Sequence, residues 1–163
     1  MRTLTVEWQD PHAALEQSRK LSGLEAMRAM IRGEIPRPPL SHLLGFSLRE
    51  VSEGSAIFEC TPGEQHYNPI GVVHGGLAAT LLDSAMGCAV HTRLPLGLAY
   101  TTLEMKVNLV RAMTAQTGLV RATGTVVHFG RRSATAEGRL VDAAGKLLAH
   151  SSTTCLIFDP ARG

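Results

Sequence analysis

The chain is poor in aromatic residues, 4% of its 163 positions, and it carries no block of Lys or Arg. With a formal net charge of only +2 and no interleaving of aromatic with basic residues, it has no footprint for a nucleic-acid partner. Its apolar runs fall far short of the roughly 18 residues a membrane span needs, so no membrane is expected as partner. The opening MRTLTVEWQDPH lacks the apolar stretch of a signal peptide, which predicts a cytoplasmic location. Three cysteines, Cys60, Cys88 and Cys155, are odd in number and widely spaced, so they read as reduced core residues and not as a disulfide framework. The seven histidines share no ligand spacing, and no metal is expected. There is no Gly-x-Ser-x-Gly elbow and no Ser-His-Asp order, which argues against a serine hydrolase. What is present is 44% apolar and 18% charged residues, enough for one domain with a real core.

The chain is organised around His66-Tyr67-Asn68-Pro69-Ile70-Gly71-Val72-Val73-His74-Gly75-Gly76 and the run that follows to about His91. Three glycines and a proline make the first part a loop. The second part, LAATLLDSAMGCAV, is apolar on nearly every face and reads as a buried helix. It holds one charge, Asp83, among Leu81, Leu82, Ala85 and Met86, where a carboxylate is costly unless it is paired or functional.

Before this stretch, residues 1–10 look poorly ordered, and residues 11–33 carry helical spacing that Gly23 divides into two short helices. Gly33 and the prolines at 36, 38 and 39 end this arm, set at residues 1–40. It either packs on the domain or covers the substrate; the residues do not choose. A short helical turn leads into a hairpin, Phe46–Val51 and Ser55–Cys60, about Glu53-Gly54. After the helix, Leu103, Met105, Val107 and Leu109 alternate with Thr102, Glu104, Lys106 and Asn108, a half-buried strand. Three further strands, over 118–129, 131–141 and 146–158, are joined by tight turns, an antiparallel meander. The expected fold class is α+β: an antiparallel sheet wrapped around a long central helix, with the main domain at 41–163.

This order of elements, with HYNPIGVVHGGLAATLLD in its loop and helix, resembles the hotdog-fold acyl-CoA thioesterases of the PaaI-like, phenylacetate-degradation type. The motif carrying it is Asn-x5-His-Gly-Gly-x6-Asp. The resemblance implies a hydrolase of acyl-CoA, without metal or organic cofactor, in homodimers that pair into homotetramers. It implies that Asp83 acts as nucleophile or general base and that the Gly75 N–H faces the thioester oxygen. Asn68 and His74 would lie near the thioester. Thr102, in preference to Thr101, would hold water. Gly76 would lie beside the substrate, and Gly130, Arg131 and Arg132 would touch the coenzyme. The plainer readings are a turn-forming Asn68, a capping His74 and a solvated Arg pair. The His-Phe-Pro signature of hotdog dehydratases is missing. Rival functions are an enoyl-CoA hydratase of the same fold and a non-catalytic acyl-CoA sensor.

The spacing adds a constraint of its own. A helix N-terminus offers unpaired N–H groups to an oxyanion, and two glycines admit a carbonyl closely. Asp83 lies seven residues past Gly76, about 700° of turn and about 10 Å along the axis. It shares the face but cannot reach a thioester at its own helix start. The two halves close only in a two-fold dimer with opposed helices.

Overall fold

The computed structural model describes residues 1–161; the last two positions of the expected 41–163 domain lie outside the described residues. Helices α1 (Pro11–Ser18), α2 (Gly23–Ile31) and α3 (Pro39–Leu43) precede strands β1 (Phe46–Ser52) and β2 (Ser55–Cys60). A 3-10 turn, Glu64–His66, and the loop lead to α4 (Gly75–His91), followed by β3 (Ala99–Leu109), a second 3-10 turn (Ala115–Thr117), β4 (Val120–Phe129), β5 (Ser133–Asp142) and β6 (Leu147–Phe158). The six strands form one antiparallel sheet in the order β1-β2-β4-β5-β6-β3.

Helix α4 is the core. Leu81, Leu82, Met86 and Val90 are fully buried against the sheet, worth together about 6–12 kcal/mol as an upper estimate. Two sheet glycines let the helix sit this deep. A side chain on Gly124 would run into the backbone at Ala85, and one on Gly138 would meet Leu82 and Met86. The helix is not covered all round, as its composition suggests. Gly76, Ala79, Thr80, Asp83, Ser84, Cys88 and His91 form a half-buried stripe down one face.

Three further expectations are corrected. The meander holds for β4, β5 and β6, but β3 pairs with β6 and not with β4, because the ten residues between β3 and β4 cross over instead of turning tightly. Along β3 a bulge falls between Thr102 and Glu104, so Leu103 is 60% exposed while Thr102, Met105 and Val107 are half-buried. Leu109, expected inside, is also 60% exposed on this edge strand. Finally, Gly23 is not the break between the arm helices; Arg19–Ser22 is, and Gly23 is the first residue of α2. Its N–H donates to the Leu94 carbonyl at 3.0 Å, and a Cβ there would collide with the His91 carbonyl. The arm is therefore pinned to the end of α4. Met27 joins the main core, and Ala26 and Ala29 pack with Ile35. Residues 1–10 form no regular element, although Arg2 pairs with Glu64 and Val6–Gln9 line a cleft with α2 and β1.

Candidate active site

The loop before α4 is built by its own short-range bonds. The Asn68 Oδ1 accepts from the N–H groups of Ile70 (3.1 Å) and Val72 (3.3 Å), and the Asn68 N–H donates to the Val72 carbonyl at 2.8 Å. Gly71, at φ +82°, supplies the left-handed residue that closes this turn. The Tyr67 hydroxyl accepts from the Ala115 N–H at 2.9 Å, tying the loop to the β3–β4 crossover. Asn68 is thus a turn former through its oxygen, and its side-chain NH2 makes no hydrogen bond among the described residues.

His74 is the N-cap of α4. Its Nδ1 accepts from the Gly76 N–H at 2.8 Å, which places the proton of the neutral ring on Nε2. The Leu77 N–H donates to the His74 carbonyl at 3.0 Å. Of the donors in the first turn, Gly76 and Leu77 are satisfied, and the Gly75 N–H makes no hydrogen bond among the described residues. The capping reading of His74 therefore describes its position, and it leaves Gly75 as the free donor at the positive end of the helix.

Two turns further on, the Thr102 hydroxyl donates to Asp83 Oδ1 at 3.1 Å. Thr101, its neighbour, is exposed on the other face of β3. Asp83 and Thr102 open on a cavity of about 270 Å3 walled by Phe46, Leu48, Phe58 and Tyr100. Asn68 and Gly75 line a different cavity of about 250 Å3, beside Leu109 and Val110. The two cavities share no residue. Within one chain the structure brings Asp83 to Thr102, and Asn68 to Gly75, but not one pair to the other.

Gly130, Arg131 and Arg132 lie in the β4–β5 turn, where the Gly130 N–H donates to the Ser133 carbonyl at 2.8 Å. Both arginines are exposed, and neither side chain makes an ion pair among the described residues. They line neither cavity.

Sequence reasoning passed over several residues of the Asp83 cavity. Cys88 lies four residues past Ser84 and His91 three past Cys88, a helical spacing that could have marked them as continuing the face beside Asp83. Burial, and secondarily Asp83, pushes the Cys88 thiol up to about 12, so it is no nucleophile at neutral pH. Burial holds His91 below the usual imidazole range and lifts the Tyr100 phenol well above its own. The two rings meet edge to face at 5.8 Å. Met27, Met30, Arg37 and Ser41 reach this cavity from the arm, and no local signal announces that. Among the described residues, no three of His, Cys, Asp or Glu come together as a metal-ligand set.

Residues 70–149 match the family model described as the thioesterase superfamily. A 1,4-dihydroxy-2-naphthoyl-CoA hydrolase of Listeria monocytogenes is 26% identical over 118 residues, covering 72% of this chain and 94% of that one. Among solved structures, a phenylacetic acid degradation-related protein of Ralstonia eutropha JMP134 is 30% identical with a TM-score of 0.72, covering 80% of this chain and 98% of its own. The PaaI protein of E. coli, at 24% identity and a TM-score of 0.72 over 85% of this chain and 96% of its own, shares the fold. This chain belongs to the thioesterase superfamily, the hotdog-fold family of thioester hydrolases.

Proposed function

We propose that the protein is an acyl-CoA thioesterase whose site is assembled between two chains. The observation that carries this is the separation of the two half-sites: a free Gly75 N–H in one cavity, and a carboxylate held by Thr102 in another. Asp83 lies within the half-buried stripe of α4, and Gly75, itself half-buried, stands at its head. Packing that stripe against its two-fold copy, with helices opposed, carries each Asp83 toward the partner's helix start. The small side chains of the stripe permit close approach. The exposed edge strand β3, with Leu103 and Leu109, offers backbone groups to continue the sheet across the interface.

In that arrangement the thioester oxygen accepts from the Gly75 N–H. One oxygen of Asp83 is fixed by Thr102, which leaves the other to act. As a general base it takes a proton from water. The resulting attack on the carbonyl carbon breaks the C–S bond, and the departing thiolate of CoA takes up a proton. As a nucleophile it would form an anhydride that water then opens. Asn68 presents its unpaired NH2 to the substrate, Gly76 admits the acyl carbonyl, and Arg131 and Arg132 meet coenzyme phosphates from the partner's side. The reading includes a homodimer that pairs into a tetramer, and a cytoplasmic setting in keeping with three free cysteines.

Release of free CoA, followed with a thiol reagent over a panel of short, medium, long and aryl-acetyl CoA esters, tests the chemistry. Light scattering tests the assembly. An active species at the 17.4 kDa of one chain would refute the shared site.

A further inference from the structure

The Asp83 cavity has a wall that comes from outside the family match. Met27, Met30, Arg37, Leu40 and Ser41 all line it, and all precede residue 70, where that match begins. Along α4 the cavity runs past Asp83, Ser84, Cys88 and His91, about 12 Å of helix. Its far end is the end of α4. There Gly23 lies against the His91 carbonyl and donates to Leu94, so α2 starts at the point farthest from the carboxylate. Met27 and Met30, three residues apart, present the same face of α2 to the cavity. Ser41 brings no polarity to this wall, since its hydroxyl is spent on the Pro38 carbonyl at 2.8 Å. Leu40, Phe46, Leu48 and Phe58 join the two methionines as the apolar part of the lining, and Arg37 is the one charged group the arm adds to it.

We infer that the N-terminal arm is the acyl-length determinant of this enzyme: Met27 and Met30 form the arm's wall of the acyl pocket, so that short or single-ring acyl groups are accepted and long chains are turned away. The inference rests on the thioesterase reading above and deepens it. The cavity, about 270 Å3, is below the roughly 300–1,000 Å3 of sites that bury a whole ligand. It takes part of an acyl-CoA, the acyl end, and not the whole ligand. Methionine is unbranched and adaptable, which makes the limit graded, with the carbons nearest the limit discriminated most.

The test compares kcat/KM for butyryl-, phenylacetyl- and lauroyl-CoA in the wild type, Met27→Ala/Met30→Ala and Met30→Trp. The wild type should favour butyryl- or phenylacetyl-CoA over lauroyl-CoA by at least about tenfold, the scale on which an apolar pocket distinguishes methylenes. The double variant should shift that ratio toward lauroyl-CoA by about tenfold, and Met30→Trp should shift the phenylacetyl-to-butyryl ratio toward butyryl-CoA. A wild type that hydrolyses lauroyl- and butyryl-CoA equally well would overturn the inference. So would ratios that stay within about twofold in both variants. Circular dichroism and light scattering establish folding. If the double variant does not fold, Met30→Trp, at a half-buried position, decides alone. If the wild type cleaves none of the esters, the thioesterase reading fails. The wall is then judged by calorimetry with butyrate, phenylacetate and laurate on the same proteins: a shifted preference keeps the pocket, and none removes it.

Discussion

Replacing Gly75 by proline removes one hydrogen-bond donor and changes little else. Gly75 is the first residue of α4, the position where proline is best tolerated in a helix. The residue before it, His74, sits at φ −61°, ψ 134°, the extended conformation that a following proline requires. The N–H being deleted bonds to nothing among the described residues. The added Cβ presses on Leu109, whose Cδ1 lies 2.5 Å from where it would go, and that is the flexible end of a largely exposed side chain. Loss of unfolded-state freedom favours a compatible proline by about 0.4–1 kcal/mol, which offsets the displacement of Leu109. Stability should stay close to that of the wild type. The rate should not. One oxyanion donor is worth about 2.7–4 kcal/mol in the transition state, so kcat should fall by about 10²–10³ with KM little changed. Gly75→Ala is the control, because it adds the same Cβ and keeps the N–H; it should retain activity within about tenfold. The assay is CoA release, normalised to folded dimer by light scattering. Equal activities of the proline and alanine variants would refute the role of the Gly75 N–H. Subunit exchange sharpens the case. In a dimer of one Gly75→Pro chain and one Asp83→Asn chain, one site keeps both groups and the other loses both. Equal mixing of two inactive parents should therefore restore about a quarter of wild-type activity, since half of the dimers are mixed and each has one of two sites. No recovery despite demonstrated exchange would dismiss the shared site.

Asp83→Asn keeps an oxygen to accept from Thr102 and strands no cation, so the melting temperature should hold or rise while kcat falls by about 10² or more; a lower melting temperature with normal activity per folded molecule would make Asp83 structural. Gly23→Ala forces a carbon onto the His91 carbonyl, and its melting curve should show a loss of about 1–3 kcal/mol. Arg131→Ala/Arg132→Ala should raise KM with kcat kept and blunt the salt dependence of KM, and identical salt curves would take both residues out of the site. Because burial depresses the His91 pKa in the folded state, the unfolded chain takes up a proton first as pH falls below about 6.5. His91 thus contributes stability that is full above that pH and declines below it. Melting temperatures across pH 7.5 to 5 should show a decline that His91→Gln flattens.

The long helix and the β4–β5–β6 meander were legible because their periodicities and turns are local. The helix start was legible in outline: polar loop, two glycines, apolar run. Which of its N–H groups stays free was not, because that depends on the His74 ring turning back onto Gly76, a choice of rotamer. Likewise Asn68 serves its own loop through one atom and leaves another unpaired, and the two readings of that residue, turn former and substrate ligand, are compatible. The partnership of β3 with β6 is a pairing across some fifty residues, and no local pattern encodes it. The wall supplied by α2 was equally hidden. Gly23 looks like punctuation in the sequence, and its reason is a helix end packed against it.

The bulge at Leu103 has a wider meaning for β3. Up to Thr102 the inward-facing positions are even-numbered, Tyr100 and Thr102; beyond the bulge they are odd-numbered, Met105 and Val107. The strand is written in two phases, one set by the Asp83 cavity and one by the core, and a single extra residue shifts between them. Deleting Leu103 would leave both halves facing as they do now, as a plain alternating strand. Deleting Lys106 instead would turn Val107 out of phase with the sheet. Tolerance to substitution should follow the same rule, switching from odd to even positions at residue 103, so that the bulge would be visible in a mutational scan of β3 with no structure at hand.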